Sequence, residues 1–234
     1  MERTIKTFRH DELLPQQLVM SPIQLVGCGG VGSSVGMMLA KMQVGKAGMH
    51  LYDDDTIEAH NPPNQAYERH HIGQPKVVAL AEQIAVWSDG QVATTPHQVR
   101  VRERIPLKGV AFLCLDDMDD RLVNMESSVF GNEQLDLVVE TRMDARFAYA
   151  SIFDPKVPAH CTLWREGWYP SSATESMAGC GGHLSVITAV MQTAVLAVQG
   201  ALNFYDEASR MNHLELNLQT WKLKARRWPM TLDE

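Results

Sequence analysis

A chain of 234 residues, 45% apolar and 21% charged, has the composition of a globular protein with a sizeable buried core. That excludes a disordered or fibrous chain, and a formal net charge of −7 argues against a nucleic-acid-binding domain, which carries a basic surface. No run reads as the roughly 18 uninterrupted apolar residues of a membrane span, and the mixed-charge start MERTIKTFRHDELL lacks an apolar signal core. The four cysteines, at 28, 114, 161 and 180, form no C-x-x-C pair. They read as reduced thiols in a cytoplasmic setting.

Residues 1–21 read as an irregular or helical lead-in punctuated by Pro15 and Pro22, and residues 22–234 as one domain. Ile23, Leu25 and Val26 predict a short strand that ends in Gly27-Cys28-Gly29-Gly30-Val31-Gly32. From Ser33 to Val44 the apolar residues Val35, Met38, Leu39 and Met42 recur at helical spacing. Met49–Tyr52 predicts a second strand, closed by Asp53-Asp54-Asp55. A long loop over 56–75 follows, with Asn61, Pro62, Pro63, Asn64 and Gly73, and then a helix over Lys76–Trp87. Val92–Val99 alternates weakly as a strand, and Val110–Leu115 is an apolar run typical of a strand buried on both faces.

Arg121–Phe130 is predicted helical and Leu135–Val139 a further buried strand. Ala148–Phe153 and His160–Trp164 are predicted antiparallel strands, and 165–182 a loop. Leu184–Phe204 is a long apolar helix, broken by Thr188, Gln192, Thr193 and Gln199 as a core helix is. His213–Trp221 alternates as a half-buried terminal strand. The basic stretch Lys222–Arg227 reads as a solvated strand end or a docking edge for a partner. Strand, glycine turn, helix and strand open a doubly wound, Rossmann-like parallel α/β sheet, which turns antiparallel toward the C-terminus.

Gly27-x-Gly29-x-x-Gly32 follows a strand and opens a helix, the context in which such glycines let backbone N–H groups approach a phosphate at a helix N-terminus. Asp53 ends the next strand, about where a ribose-binding acid falls. Spacing alone does not choose between NAD and ATP. Three features favour phosphates with magnesium over a nicotinamide ring: the acid cluster 53–55 followed by Asn61 and Gln65, Lys76 at a helix start, and Leu115-Asp116-Asp117 at a strand end ahead of Arg121 and Asn124. Asp54 reads as a solvated acid.

These pieces, GCGGVGS at 27–33, YDDDTIEAHN at 52–61, GQPK at 73–76 and LDDMDDRLVN at 115–124, resemble the ThiF/MoeB superfamily of ATP-dependent adenylyltransferases, relatives of the ubiquitin-activating enzymes. Residues 180–202 are similar to that family's late helix, which follows a crossover loop. The resemblance implies an enzyme that adenylates the C-terminal carboxylate of a ubiquitin-like or sulfur-carrier protein, or of a peptide, using ATP and Mg2+ and acting as a homodimer, with no nucleic acid or membrane involved. It further implies that Gly27, Gly29, Gly30 and Gly32 line the nucleotide and that Asp53 takes the ribose. Asp55, Asn61, Gln65 and Asp117 would face the nucleotide and its phosphates. Lys76 would neutralise phosphate charge, and Asp116 would hold magnesium.

The pattern breaks in one place. The family writes Asn-x-x-Arg-Gln where this chain has Asn61-Pro62-Pro63-Asn64-Gln65, and Asn64 carries no charge. Arg69 is the nearest replacement, and Arg9 or Arg3 would be the N-terminal arginine that members of the family lend across a dimer. Cys180 stands where some relatives keep an acyl-accepting thiol; a small packing residue is the competing reading. Zinc is not expected, since His160-Cys161 with Cys180-x-x-His183 has an unusual spacing for a four-ligand site. Two other functions stay open. One is a catalytically silent binding partner, suggested by Asn64. The other is an NAD-dependent oxidoreductase, for which no catalytic pair is visible.

Overall fold

The protein is described from a computed structural model, over residues 11–101, 104–144, 146–175 and 186–231. Among the described residues eight strands build one sheet: β1 (Ile23–Val26), β2 (Met49–Tyr52), β3 (Thr94–His97), β4 (Gly109–Leu113), β5 (Leu135–Met143), β6 (Phe147–Phe153), β7 (His213–Asn217) and β8 (Lys222–Arg226). Their order is β3-β2-β1-β4-β5-β6-β7-β8. The first five are parallel, with Val26 beside both Tyr52 and Leu113. The last three add on antiparallel. The order reverses between β1 and β4, so the loops leaving those two strands open a crevice at the switch point.

Helices cover both faces, as a parallel sheet requires. On one face lie α1 (Gln16–Met20), α2 (Gly30–Lys41), α3 (Lys76–Trp87) and α7 (Ile187–Phe204), closing a core around Leu18, Leu25, Leu39, Leu51, Leu80, Phe112 and Ile152. On the other lie α4 (Met118–Asn124) and α5 (Pro158–Glu166), over Val26, Leu113, Val138, Phe153 and Trp164. A short α6 (Ser172–Glu175) falls inside the expected loop 165–182. By length and composition α7 is able to cross a membrane, with 18 residues at mean hydropathy 1.4. Here its stripe of Val190, Ala194, Ala197, Val198 and Ala201 is buried in the core.

Several boundaries differ from the sequence reading. His160–Trp164 is not a strand but part of α5: Pro158 occupies a first-turn position, where its fixed φ and missing N–H suit a helix, and His160, Cys161 and Trp164 share a buried face at helical spacing. The helix expected over Arg121–Phe130 starts at Met118, because Asp117 caps it by accepting from the N–H groups of Asp119 and Asp120. After Asn124 it widens into a π-helical turn, Met125–Val129. Likewise α2 begins at Gly30 rather than Ser33 and ends at Lys41. The terminal strand stops at Asn217, whose side chain takes the N–H groups of Gln219 and Thr220, and the chain turns back as the exposed edge strand β8.

The helix–π segment also fastens the connection between β3 and β4. Asp120 accepts two bonds from Arg100, at 2.8 and 2.7 Å. Asn124 donates to the Val101 carbonyl at 2.6 Å, and Ser128 accepts the Ile105 N–H at 3.0 Å. Just beyond, Asn132 donates to the Leu107 carbonyl at 3.1 Å.

Phe112 lies in the middle of the sheet at 0% exposure. Phe112→Ala is expected to lower unfolding free energy by about 3–5 kcal/mol, measured by urea denaturation; a loss under about 1 kcal/mol would contradict this core.

Candidate active site

The glycine turn leaves β1 and opens α2. Gly27 sits at φ +88°, where a side chain is strained, and a Cβ there would lie 2.7 Å from the Cys114 carbonyl oxygen at the end of β4. A Cβ on Gly32 would lie 1.8 Å from the Gly27 carbonyl oxygen, so the helix packs on its own entry turn only because residue 32 is glycine. Among the described residues a Cβ on Gly29 would meet nothing within 4 Å, and none of them covers the start of α2 there. Gly30 packs against the Asn64 carbonyl and Val190.

Asp53, one residue past β2, accepts the Cys28 N–H at 2.7 Å and the Asp55 N–H at 2.9 Å. Its carboxyl is thereby tied to the glycine turn. Burial pushes the Asp53 pKa up, against the opposing pull of Lys76 and of these N–H groups.

The long loop then folds back on residues 55–57. Thr56 bridges Pro75, the Lys76 N–H donates to the Asp55 carbonyl at 2.9 Å, and the Ile57 N–H to the Gln74 carbonyl at 2.9 Å. The return brings Lys76 Nζ to 2.5 Å from Asp55 Oδ2, with the lysine side chain 9% exposed. Burial acts to lower the Lys76 pKa, but Asp53, Asp55 and Asp116 outweigh it and hold the ammonium charged. The carboxylates of Asp53, Asp54 and Asp55 also lie within 4.8 Å of one another.

Across the crevice, Asp116 is exposed on the turn after β4. Asp117 is occupied as the α4 cap and accepts a further bond from Ser171 at 3.1 Å. Behind them Arg121 bonds the carbonyls of Leu115 and Thr141 and pairs with the fully buried Glu140. Arg142 shares that carboxylate at 2.9 Å. Burial pushes the Glu140 pKa up, but the two guanidiniums win and hold it below the usual carboxylate range.

The other residues singled out in the sequence fall as follows. Asn61 is buried and its side chain closes a turn by accepting the Glu58 N–H at 2.8 Å. Gln65 has a buried side-chain oxygen with no hydrogen-bond partner among the described residues. Arg69 is exposed and lines a shallow groove with Pro62, Pro63, Tyr67 and Ile72. Arg3, Arg9, Cys180 and His183 lie outside the described residues.

Sequence reasoning missed Tyr67, whose single hydroxyl proton goes to the Cys28 carbonyl at 2.6 Å with the Lys76 carbonyl 3.3 Å away, setting the glycine turn beside the start of α3. It missed Ser33, which accepts the Ala66 N–H at 3.0 Å. A lone tyrosine in a polar loop was the one available signal.

A parallel sheet with a glycine turn, a charged buried lysine and an exposed acid around its switch point defines an α/β protein of Rossmann-like type. The ThiF family profile matches residues 1–227, and the chain belongs to that family. It is 39% identical over 85 residues to the adenylyltransferase and sulfurtransferase MOCS3 of Oryza sativa subsp. japonica, a stretch covering 33% of this chain and 19% of the rice protein. The chain thus spans only about a fifth of that relative. Among solved structures it is similar to PaaA, with TM-score 0.70 at 15% identity over 91% of this chain and 74% of that one. It is also similar to E. coli MccB with ATP, with TM-score 0.71 at 15% identity over 94% and 68%. At that identity both are likenesses of fold.

Because the folded-state pKa of Glu140 is depressed, its contribution to stability is present above the unfolded value near 4.3 and is lost as pH falls through the lower folded value. Glu140→Gln leaves two guanidiniums without a carboxylate and is expected to cost about 3–5 kcal/mol at neutral pH. In denaturant titrations the gap between wild type and variant should narrow below about pH 4; a gap that does not depend on pH would contradict the ion-pair account.

Proposed function

We propose that the chain is an ATP- and magnesium-dependent adenylyltransferase that activates the C-terminal carboxylate of a ubiquitin-like protein, a sulfur carrier or a peptide. The observation that carries this reading is Lys76, a nearly buried ammonium held charged among Asp53, Asp55 and Asp116 beside the glycine turn. Family membership supports it. So do the activity named for the rice relative and the E. coli MccB structures with ATP and with MccA.

The residues suit the ligands. Among the described residues nothing covers Gly29 at the start of α2, so the first backbone N–H groups of the helix would meet a phosphate there with the helix dipole behind them. Asp53 keeps lone pairs for ribose hydroxyls beyond the two it gives to Cys28 and Asp55. Lys76, released from Asp55, offsets negative charge on the triphosphate. Asp116, exposed on the turn after β4, offers a carboxylate oxygen, the donor type that magnesium prefers. The metal would supply charge neutralisation between carboxylate and triphosphate. In the reaction a carboxylate oxygen bonds to the α-phosphorus as the bond to the leaving pyrophosphate breaks, giving an acyl adenylate. The chain's contribution is to place the two anions in line and to hold compensating charge around them. The same proposal includes a homodimer in the cytoplasm, with Arg9 reaching a second copy's site; a monomer in sedimentation experiments would remove that part.

A second reading, a silent partner that binds without turnover, is favoured by Asn64, which brings no charge where the family has arginine. Thermal melting with ATP, with and without magnesium and beside NAD, is the first test. A native-state ligand at a hundred times its Kd adds about 2.7 kcal/mol of stability, so ATP with magnesium should raise Tm clearly. Lys76→Ala should weaken that response roughly tenfold or more in ATP concentration, since it removes a charge-assisted contact. A shift with NAD alone would overturn the reading. Binding without pyrophosphate exchange in the presence of the carboxylate partner would favour the silent one.

A further inference from the structure

Asp116 is exposed, yet the backbone on both sides of it is pinned. On one side Arg121, its side chain 4% exposed, donates to the Leu115 carbonyl. On the other, Ser171 reaches in from more than fifty residues away. Its hydroxyl accepts the Met118 N–H at 2.9 Å and the Asp119 N–H at 3.2 Å, and donates to Asp117 Oδ1 at 3.1 Å. Among the described residues the hydroxyl thus serves as donor once and as acceptor twice. Nearby, Trp168 Nε1 donates to the Met118 carbonyl at 2.9 Å. Asp117 already takes the N–H groups of Asp119 and Asp120, so the helix has a cap without Ser171. What the serine adds is a fixed orientation of the turn.

A second route joins the same two pieces of chain. Arg142 donates to the Gly167 carbonyl at 2.6 Å and, through Glu140, meets Arg121. Segment 167–171 and turn 115–119 are therefore held in one frame from two directions.

We propose that Ser171 is a positioning residue for Asp116, coupling segment 167–171 to the acid on the nucleotide side of the crevice. The inference rests on the adenylyltransferase reading. Ser171 acts by fixing the direction of the Asp116 carboxylate, so its loss should be felt where that carboxylate is used, in the response to magnesium.

The experiment is a magnesium titration of the ATP-induced rise in melting temperature, in wild type, S171A, S171T, D116N and the S171A/D116N double variant. S171A is expected to raise the magnesium midpoint about five- to tenfold, the range of one lost hydrogen bond. S171T, which keeps the hydroxyl, should stay near wild type. S171A in the D116N background should add nothing further. Should S171A fail to fold, W168F, which keeps the ring but loses the donor to Met118, reads the same midpoint. An S171A or W168F protein that melts earlier without ligand but keeps the wild-type midpoint overturns the coupling alone. So does an S171A effect that persists undiminished on D116N. A wild-type ATP response indifferent to magnesium overturns the magnesium reading itself, and the coupling with it.

Discussion

The site depends on one close approach, that of Gly32 to the carbonyl of Gly27. No side chain of any size fits between them, so the first turn of α2 sits directly on the end of β1. That contact fixes where the first N–H groups of the helix stand relative to β1, groups that have no partner within the helix itself. It also brings Cys28 within reach of Asp53, which links β1 to β2. Through the Cys28 carbonyl and Tyr67, the same turn fixes where α3 begins, and so where Lys76 stands. The order of events in space follows from there: glycine turn, acid, tyrosine, lysine.

Two buried charge systems flank the crevice and differ in character. Lys76 is paired at closest range with Asp55, whose side chain is largely exposed, so that pairing is adjustable and the lysine's charge is available to a ligand. Glu140 is shut away with Arg121 and Arg142, all three directed at backbone or at each other. Burying ions in this way returns little net stability compared with a well-packed apolar cluster. What it supplies is direction, since guanidinium forks set the angles between β4, β5 and the segment after α5. One system is suited to exchange partners and the other to stay put.

Much of this was legible in the sequence where short-range pattern carries it. The glycine turn, the acid run and the start of α3 at Lys76 follow from motif spacing, and β1 and β4 from apolar runs buried on both faces. α5 was misread because alternation in His160–Trp164 imitates a strand, whereas the deciding feature is Pro158 at its first turn. Glu140 was passed over because it follows an apolar run, and its meaning comes only from arginines on other turns of chain. Ser171 and Tyr67 were invisible for the same reason: their partners lie tens of residues away, and serine and tyrosine carry no local signature of that role.

The widened turn at Met125–Val129 gives the sequence around it an unusual sensitivity to length. Asp120, Asn124 and Ser128 are four residues apart, and in plain α geometry each such step overshoots a full revolution by about 40°. Grips so spaced would wind away from a neighbouring strap instead of following it. The π turn takes up the excess, as one stretched division keeps a ruler aligned with a scale of different pitch, and Ser128 still meets Ile105. Removing a single residue there would let the helix close to regular pitch and would rotate everything beyond it by about 100°. In this stretch the residue count is as constrained as the buried side chains of Met125, Ser128 and Val129.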